Sequence, residues 1–217
     1  DRKNSSCLKE VLALFSPNII LDMVNFDKGD SHVISDLYDQ GWIGDLNHYI
    51  MISSFFIYNT FDHEQFSEQK INEDFDPKNV DGYTMRKIES ELALYSSKLI
   101  EITTILRLAF VFSADDYSNR FQQLCEISLS GHEAIAEPSF KYSLIRKDDA
   151  AAAIIKIFNS RSMGITDLAN AGHVTSKTLV ETLHGSAPLT PGDRHHDPGN
   201  FPYFVGRDIC LDSRKMT

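Results

Sequence analysis

The apolar positions open the chain as a helix. Leu8, Val11, Leu12 and Phe15 share one face, and Pro17 ends the run. "NIILDMVNF" follows, a nearly continuous apolar run of the kind a strand buried on both faces carries. "SHVISDLYDQGWIGDLNHY" has helical spacing and breaks near Gly41 and Gly44. "YIMISSFFIY" reads as a second strand. "DGYTMRKIESELALYSSKL" reads as a strong helix with Ile88, Leu92, Leu94 and Tyr95 on its apolar side. "EITTILRLAFVF" reads as a third strand, β-branched and unbroken. Strands alternating with helices in this way imply parallel pairing through right-handed crossovers, hence an α/β fold.

Beyond Phe112 the pattern loosens. "DDYSNRFQQLCEISLSG" predicts a helix outside the main sheet. "DDAAAAIIKIFNS" predicts a helix whose first turn carries Asp148 and Asp149, where carboxylates suit the helix dipole. "GITDLAN" is a strand, and "TSKTLVETL" a helix capped by Thr175 or Ser176. Gly185 to Phe204, rich in Pro, Gly and His, reads as loop.

Composition narrows the partners. The 217 residues suffice for one large domain, or one domain with a smaller lobe, and an apolar content of 42% supports a real core. A formal net charge of −10 argues against nucleic acid and against an anionic membrane surface, since both need a basic face. No apolar run approaches the roughly 20 residues of a membrane span, and "DRKNSSCLKE" does not read as a signal peptide. Cys7, Cys125 and Cys210 are odd in number and far apart, which predicts reduced thiols in a cytoplasmic protein rather than a disulfide framework or a zinc site. "DRHHD", Asp193 to Asp197, has no spaced third ligand and predicts no metal site.

The chemistry is concentrated in two stretches. Tyr83 and Lys87 stand four apart on a predicted helix and so share a face. A lysine ammonium close to a phenol favours the phenolate, so Lys87 is expected to lower the Tyr83 pKa and fit the tyrosine for proton transfer near neutral pH. Ser53 and Ser54 interrupt an otherwise apolar strand. At the carboxyl end of a parallel strand, where ligands bind, their hydroxyls are placed to orient the same reacting oxygen.

These stretches resemble the extended short-chain dehydrogenases/reductases, the NAD-dependent epimerase/dehydratase proteins. "MISSFFIY" is similar to that family's Ser-Ser-x-x-x-Tyr strand end, with Ser54 at the place of the catalytic serine, and "YTMRK" matches its Tyr-x-x-x-Lys signature. "TTILRLAFVFSADD" resembles its Leu-Arg-Pro stretch past the nicotinamide, with Leu108 in place of the usual Pro. "YSLIRKDDAAAAIIKIF" resembles its Ile-His-Val-x-Asp segment, with Arg146 in place of the usual His. "GITDLANAGHVTSKTLVETL" and "GRDICLDSRKM" resemble its later segments.

The resemblance implies a Rossmann-type parallel sheet in residues 1–112 and a small C-terminal substrate-binding lobe in 113–217, with 141–171 returning to the core. It implies an NAD(P)-dependent epimerase, dehydratase or reductase acting on a sugar nucleotide or a similar hydroxylated substrate. Ser54, Tyr83 and Lys87 would be catalytic. Val24, Asn25, Ser53, Tyr83, Lys87, Leu108 and Phe110 would line NAD or NADP, and Ser54, Arg120 and Arg207 would hold the substrate. The alternative is a non-catalytic binding or scaffold relative.

The family's Gly-x-x-Gly-x-x-Gly loop, which cradles the cofactor pyrophosphate, has no match. The sheet is therefore expected to be incomplete in its N-terminal part, and the chain as given to bind the cofactor weakly. The strand over residues 18–24 is expected to seek a partner, by homo-oligomerisation or by pairing with a second polypeptide.

Overall fold

The computed structural model describes residues 4–60, 71, 80–129, 140–184 and 207–211. Helix α1 (Ser5–Phe15) leads to strand β1 (Ile19–Asp22), helix α2 (Lys28–Asp39) and strand β2 (His48–Ser54). Helix α3 (Gly82–Tyr95) and strand β3 (Thr103–Leu108) complete the expected alternation. The later elements are β4 (Phe110–Phe112), α4 (Arg120–Leu129), β5 (Lys141–Tyr142), β6 (Leu144–Arg146), α5 (Lys147–Ser160), β7 (Gly164–Leu168), β8 (Val174–Thr175) and α6 (Ser176–His184).

The main sheet is parallel and four-stranded, in the order β1-β2-β3-β7. On one face Leu12, Ile34, Leu37, Tyr49, Met51, Leu94 and Ile105 form a core with α1, α2 and α3. On the other, Ile50 and Leu106 join Phe55, Phe110, Tyr142, Ile157 and Val180. Ile20, Tyr49, Met51, Ile105 and Ile165 belong to the first core and Ile19, Ile50, Ile52 and Leu106 to the second, the alternation a strand imposes. β7 closes one side of the sheet, and β6 pairs with β4 in a separate two-stranded sheet.

Three expectations need correction. β1 was expected to be buried on both faces, yet Leu21 is 40% exposed. The physical reason is its place at the edge of the sheet, where its neighbour among the described residues is β2. "FFIY" does not continue β2: Phe55–Thr60 is a short 3-10 helix, begun where the Phe56 N–H turns back to the Ser54 hydroxyl at 3.3 Å. "EITTILRLAFVF" is not one strand. Ala109 leaves the β2 register, donates its N–H to Leu168 O at 3.0 Å, and hands the chain to β4, which pairs with β6 in a separate sheet.

Helix α6 is capped by Thr175, whose hydroxyl accepts the Thr178 N–H at 3.0 Å. Among the described residues no helix is long and apolar enough to cross a membrane. The stretches Gly185 to Phe204, including Asp193 to Asp197, lie outside the described residues.

Candidate active site at the carboxyl end of β2

Ser54 is the last residue of β2, paired across the ladder with Leu108 of β3. Its hydroxyl accepts the Phe56 N–H and lies near enough to the Tyr83 phenol to favour its ionisation. Tyr83 is brought there by its helix cap. Asp81 accepts the N–H groups of Tyr83 and Thr84 at 2.9 and 3.0 Å and the Thr84 hydroxyl at 2.6 Å, which fixes the first turn of α3. The Phe56 ring meets the Tyr83 ring edge-on, with centroids 6.4 Å apart.

Lys87, one turn along, is buried. Its ammonium donates to the carbonyl oxygens of Asn25 at 2.5 Å and Ile52 at 3.0 Å, and lies 5.3 Å from the centre of the Phe26 ring. It therefore ties α3 to the loop after β1 and to the end of β2. A buried charge requires such partners.

The expected lowering of the Tyr83 pKa is not found. Burial of the phenol raises it above the ordinary tyrosine value, while the nearby Ser54 hydroxyl and the Arg120 guanidinium pull it down, and Asp81 and Tyr117 push it up. The residue as a whole is 42% exposed. The physical reason for the correction is that desolvation of the phenolate outweighs the favourable charges near it.

Arg120 reaches the site from α4. Its guanidinium stands 5.9 Å from the Phe110 ring centre, donates to Ser118 at 2.8 Å and lies 3.8 Å from Asp116. Phe110 packs on Phe56 at 5.2 Å, so Arg120, Phe110, Phe56 and Tyr83 form a continuous contact chain.

The remaining residues singled out in the sequence divide. Val24 is exposed, two residues after the end of β1. Asn25 is fully buried: its amide nitrogen donates to Ser31 at 3.0 Å and Tyr49 at 3.3 Å, and its side-chain oxygen accepts from Ser90. Leu108 and Phe110 are core residues, and Phe110 is the hub of rings from Phe55, Phe56 and Tyr142. Ser53 points away from Ser54, as successive strand residues must, and donates to Glu91 Oε1 at 2.6 Å. Arg207 Nη1 lies 3.5 Å from the carbonyl oxygen of Asn59, in the 3-10 helix.

Sequence reasoning missed the group behind the site. Glu91 and Arg107 form a doubly hydrogen-bonded ion pair at 3.1 and 2.7 Å, with both side chains 0% exposed. Burial works against the Arg107 charge, but the Glu91 carboxylate outweighs it and holds the guanidinium charged. The guanidinium also faces the Tyr58 ring at 5.0 Å, and the Tyr58 hydroxyl donates to both Asp167 oxygens at 2.9 and 2.8 Å. The signal for Glu91 was its position four after Lys87, on the face that already carried Tyr83.

No protein-family model and no curated protein matches the chain. Solved structures share its fold. A dTDP-glucose 4,6-dehydratase of Bacillus anthracis in complex with NAD aligns over 100% of this chain and 70% of its own, with 13% identity and a TM-score of 0.73. A dTDP-4-dehydrorhamnose reductase ortholog of Clostridium acetobutylicum aligns over 100% and 80%, with 14% identity and a TM-score of 0.71. A UDP-glucose 4-epimerase of Thermotoga maritima with UDP-glucose aligns over 99% and 74%, with 15% identity and a TM-score of 0.62. The chain thus has the Rossmann-type fold of these sugar-nucleotide enzymes.

Proposed function

We propose that the chain performs the acid/base part of a nicotinamide-dependent epimerisation, dehydration or reduction, on a sugar nucleotide or a similarly hydroxylated substrate, as a member of the extended short-chain dehydrogenases/reductases. The observation that carries the reading is the convergence of Ser54 and Tyr83 at the carboxyl edge of a parallel sheet, where the Tyr83 ring meets that of Phe56, two residues after Ser54, with Lys87 one turn further along the same helix face. The shared fold adds support, since its solved examples include NAD and UDP-sugar complexes.

A bound nicotinamide would supply the hydride acceptor or donor. The residues present fit its ribose end: the Tyr83 hydroxyl, the Lys87 ammonium behind it, and exposed Val24 at the same sheet edge. Tyr83, kept protonated by its surroundings, gives its proton to a carbonyl oxygen of the substrate. The phenolate left behind is held by the Ser54 hydroxyl and by the Arg120 charge, and in the reverse sense it takes the proton of a substrate hydroxyl. Lys87 holds the loop after β1 against the end of β2 and so sets the floor of the site. Arg120 also suits a substrate phosphate, because a guanidinium makes paired contacts to such oxygens. Arg207, against Asn59 of the 3-10 helix, is assigned the same role.

The test is turnover of UDP- and dTDP-sugars with NAD⁺ or NADP⁺, followed by nicotinamide absorbance and product analysis. Tyr83→Phe is expected to cut the rate by about 100-fold or more. Undiminished turnover in that variant overturns the reading.

One observation favours a second reading, a binding relative without turnover: the Lys87 ammonium is committed to two protein carbonyls and the residue is 3% exposed. That reading predicts calorimetric binding of the nucleotide sugar, with no reaction and no sensitivity to Tyr83→Phe.

A further inference from the structure

Helix α3 meets the end of β2 one turn at a time. Tyr83, Lys87 and Glu91 follow one another at intervals of four and lie along one face of the helix. They answer to three consecutive strand residues: the Tyr83 phenol lies near the hydroxyl of Ser54, Lys87 donates to the carbonyl oxygen of Ile52 at 3.0 Å, and Glu91 accepts from the hydroxyl of Ser53 at 2.6 Å. The first two belong to the site described above. The third contact is fully inside the protein.

Stability is a weak reason for the Glu91–Arg107 pair to exist. Removing two charges from water costs about as much as their attraction returns, and an apolar pair of similar volume often does as well. What an apolar pair lacks is a grip on neighbouring polar groups. Ser53, Arg107 and Asp167 are direct ladder partners in one row across β2, β3 and β7. Glu91 holds Ser53 in that row from α3. Arg107 faces the Tyr58 ring, and Tyr58 is tied to Asp167. Tyr58 belongs to the 3-10 helix that begins immediately after Ser54. Ser54 is therefore held from both sides in sequence, through Ser53 before it and through Tyr58 after it.

We propose that Glu91 and Arg107 are positioning residues: the buried pair fixes Ser53 and Tyr58, and by doing so sets the height and rotation at which β2 presents Ser54 to Tyr83. The purpose of this arrangement rests on the functional reading above, but its test does not require turnover. Ser53→Ala removes one hydroxyl contact and leaves the ion pair intact. Glu91→Gln keeps the shape and removes the charge.

The readout is the ionisation of the Tyr83 phenol, followed by ultraviolet absorbance and taken as the difference from the same protein carrying Tyr83→Phe. Ser54→Ala sets the reference. Losing one hydrogen bond of ordinary strength to the phenolate moves the midpoint up by about half a pH unit. Ser53→Ala and Glu91→Gln are each expected to move it the same way, by a comparable amount, in protein that still unfolds cooperatively. A purely structural pair would lower the unfolding midpoint and leave the phenol titration where it was. That result, in folded Ser53→Ala, overturns the proposal even if Glu91→Gln fails to fold. A Ser54→Ala titration identical to wild type overturns it too. A shifted titration in a protein without turnover upholds the positioning role and removes the catalytic reading instead.

Discussion

Lys87 and Asn25, 62 positions apart in sequence, are joined by a 2.5 Å hydrogen bond from the ammonium to the main-chain carbonyl. With the 3.0 Å bond to Ile52 O, this places a charged group between β1 and β2 at the point where both strands end. Lys87→Met leaves both acceptors without their charged donor. Hydrogen bonds to charged groups are each worth about 1.5–3 kcal/mol, and part of that is recovered if water enters. A loss of about 2 kcal/mol in urea unfolding is expected. Lys87→Arg is not expected to restore it, because a planar fork does not fit where a compact ammonium meets two converging carbonyls. An unchanged unfolding curve for Lys87→Met contradicts the structure here.

The charges around Tyr83 have separable signs. Arg120 favours the phenolate and Asp81 disfavours it. Arg120→Gln should therefore raise the ionisation midpoint of Tyr83, and Asp81→Asn should lower it. Asparagine is as good a helix cap as aspartate, so the second change leaves α3 in place. Absorbance titration against a Tyr83→Phe background reads both. A midpoint that moves in the same direction in the two variants would refute this assignment.

Much of this was legible in the sequence, and the reasons for the rest are physical. The alternation of strands and helices and the four-residue spacing of Tyr83 and Lys87 are local patterns, and they predicted the parallel sheet and the shared helix face. The face itself was read only in part. Hydropathy put Ile88, Leu92, Leu94 and Tyr95 inside, and Ile88 and Leu94 are fully buried with Leu92 and Tyr95 partly so, but the buried set of α3 also includes Thr84, Lys87, Ser90 and Glu91. A helix that packs polar groups on a strand end violates the rule that apolar means inside, and the violation becomes visible only with the partners Asn25, Ser53 and Arg107 in view. Arg107 was a clue in its own right: a lone charge within "TTILRL" demands a buried counter-ion. The 3-10 helix at Phe55 was hidden because "FFIY" is as fit for a strand as for a turn packed between rings.

Arg107 and Glu91 should be strongly coupled in stability. Arg107→Leu strands a carboxylate in a site with no exposure, and breaking a buried pair from one side costs about 3–5 kcal/mol. The double variant Glu91→Leu/Arg107→Leu removes both charges and should cost much less than the sum of the single changes. A double-mutant cycle in urea measures the difference. Additive losses would show that the two side chains do not act as a pair.

His48 predicts the acid limb of stability. It is fully buried at the start of β2, its Nε2 lies 2.7 Å from the Thr104 hydroxyl, and Nδ1 has no hydrogen-bond partner among the described residues. Burial, then the Arg161 charge, lowers its pKa below 6.5. The unfolded chain, with the ordinary value, takes up the proton first. Stability is therefore complete above the unfolded value of 6.5 and is lost as pH falls from there towards the folded value. Urea unfolding at about pH 8 and about pH 5 should show a fall that His48→Gln reduces. Equal slopes in the two proteins would rule His48 out as the titrating group.

The edge of the sheet makes the last prediction. Among the described residues β1 pairs with β2 alone, and the chain around its outer end exposes Leu21 at 40%, Met23 at 60%, Val24 at 52% and Phe26 at 53%. An unpaired strand edge offers a row of free backbone donors and acceptors, and contiguous apolar side chains add a reason for another surface to settle there. Leu14 and Phe15, 79% and 74% exposed at the end of α1, precede β1 directly in the chain. The isolated 217-residue chain should therefore associate with itself or another polypeptide, as concentration-dependent light scattering would show. Leu21→Lys places a charge on the edge strand, where lysine is a natural deterrent to pairing, and should shift the population towards monomer without changing the melting temperature of the fold. Backbone amides at 19–22 should exchange slowly in the associated form and quickly in the Leu21→Lys monomer. A wild-type chain that stays monomeric at high concentration, with slow exchange at 19–22, would mean that this edge is covered from within the chain.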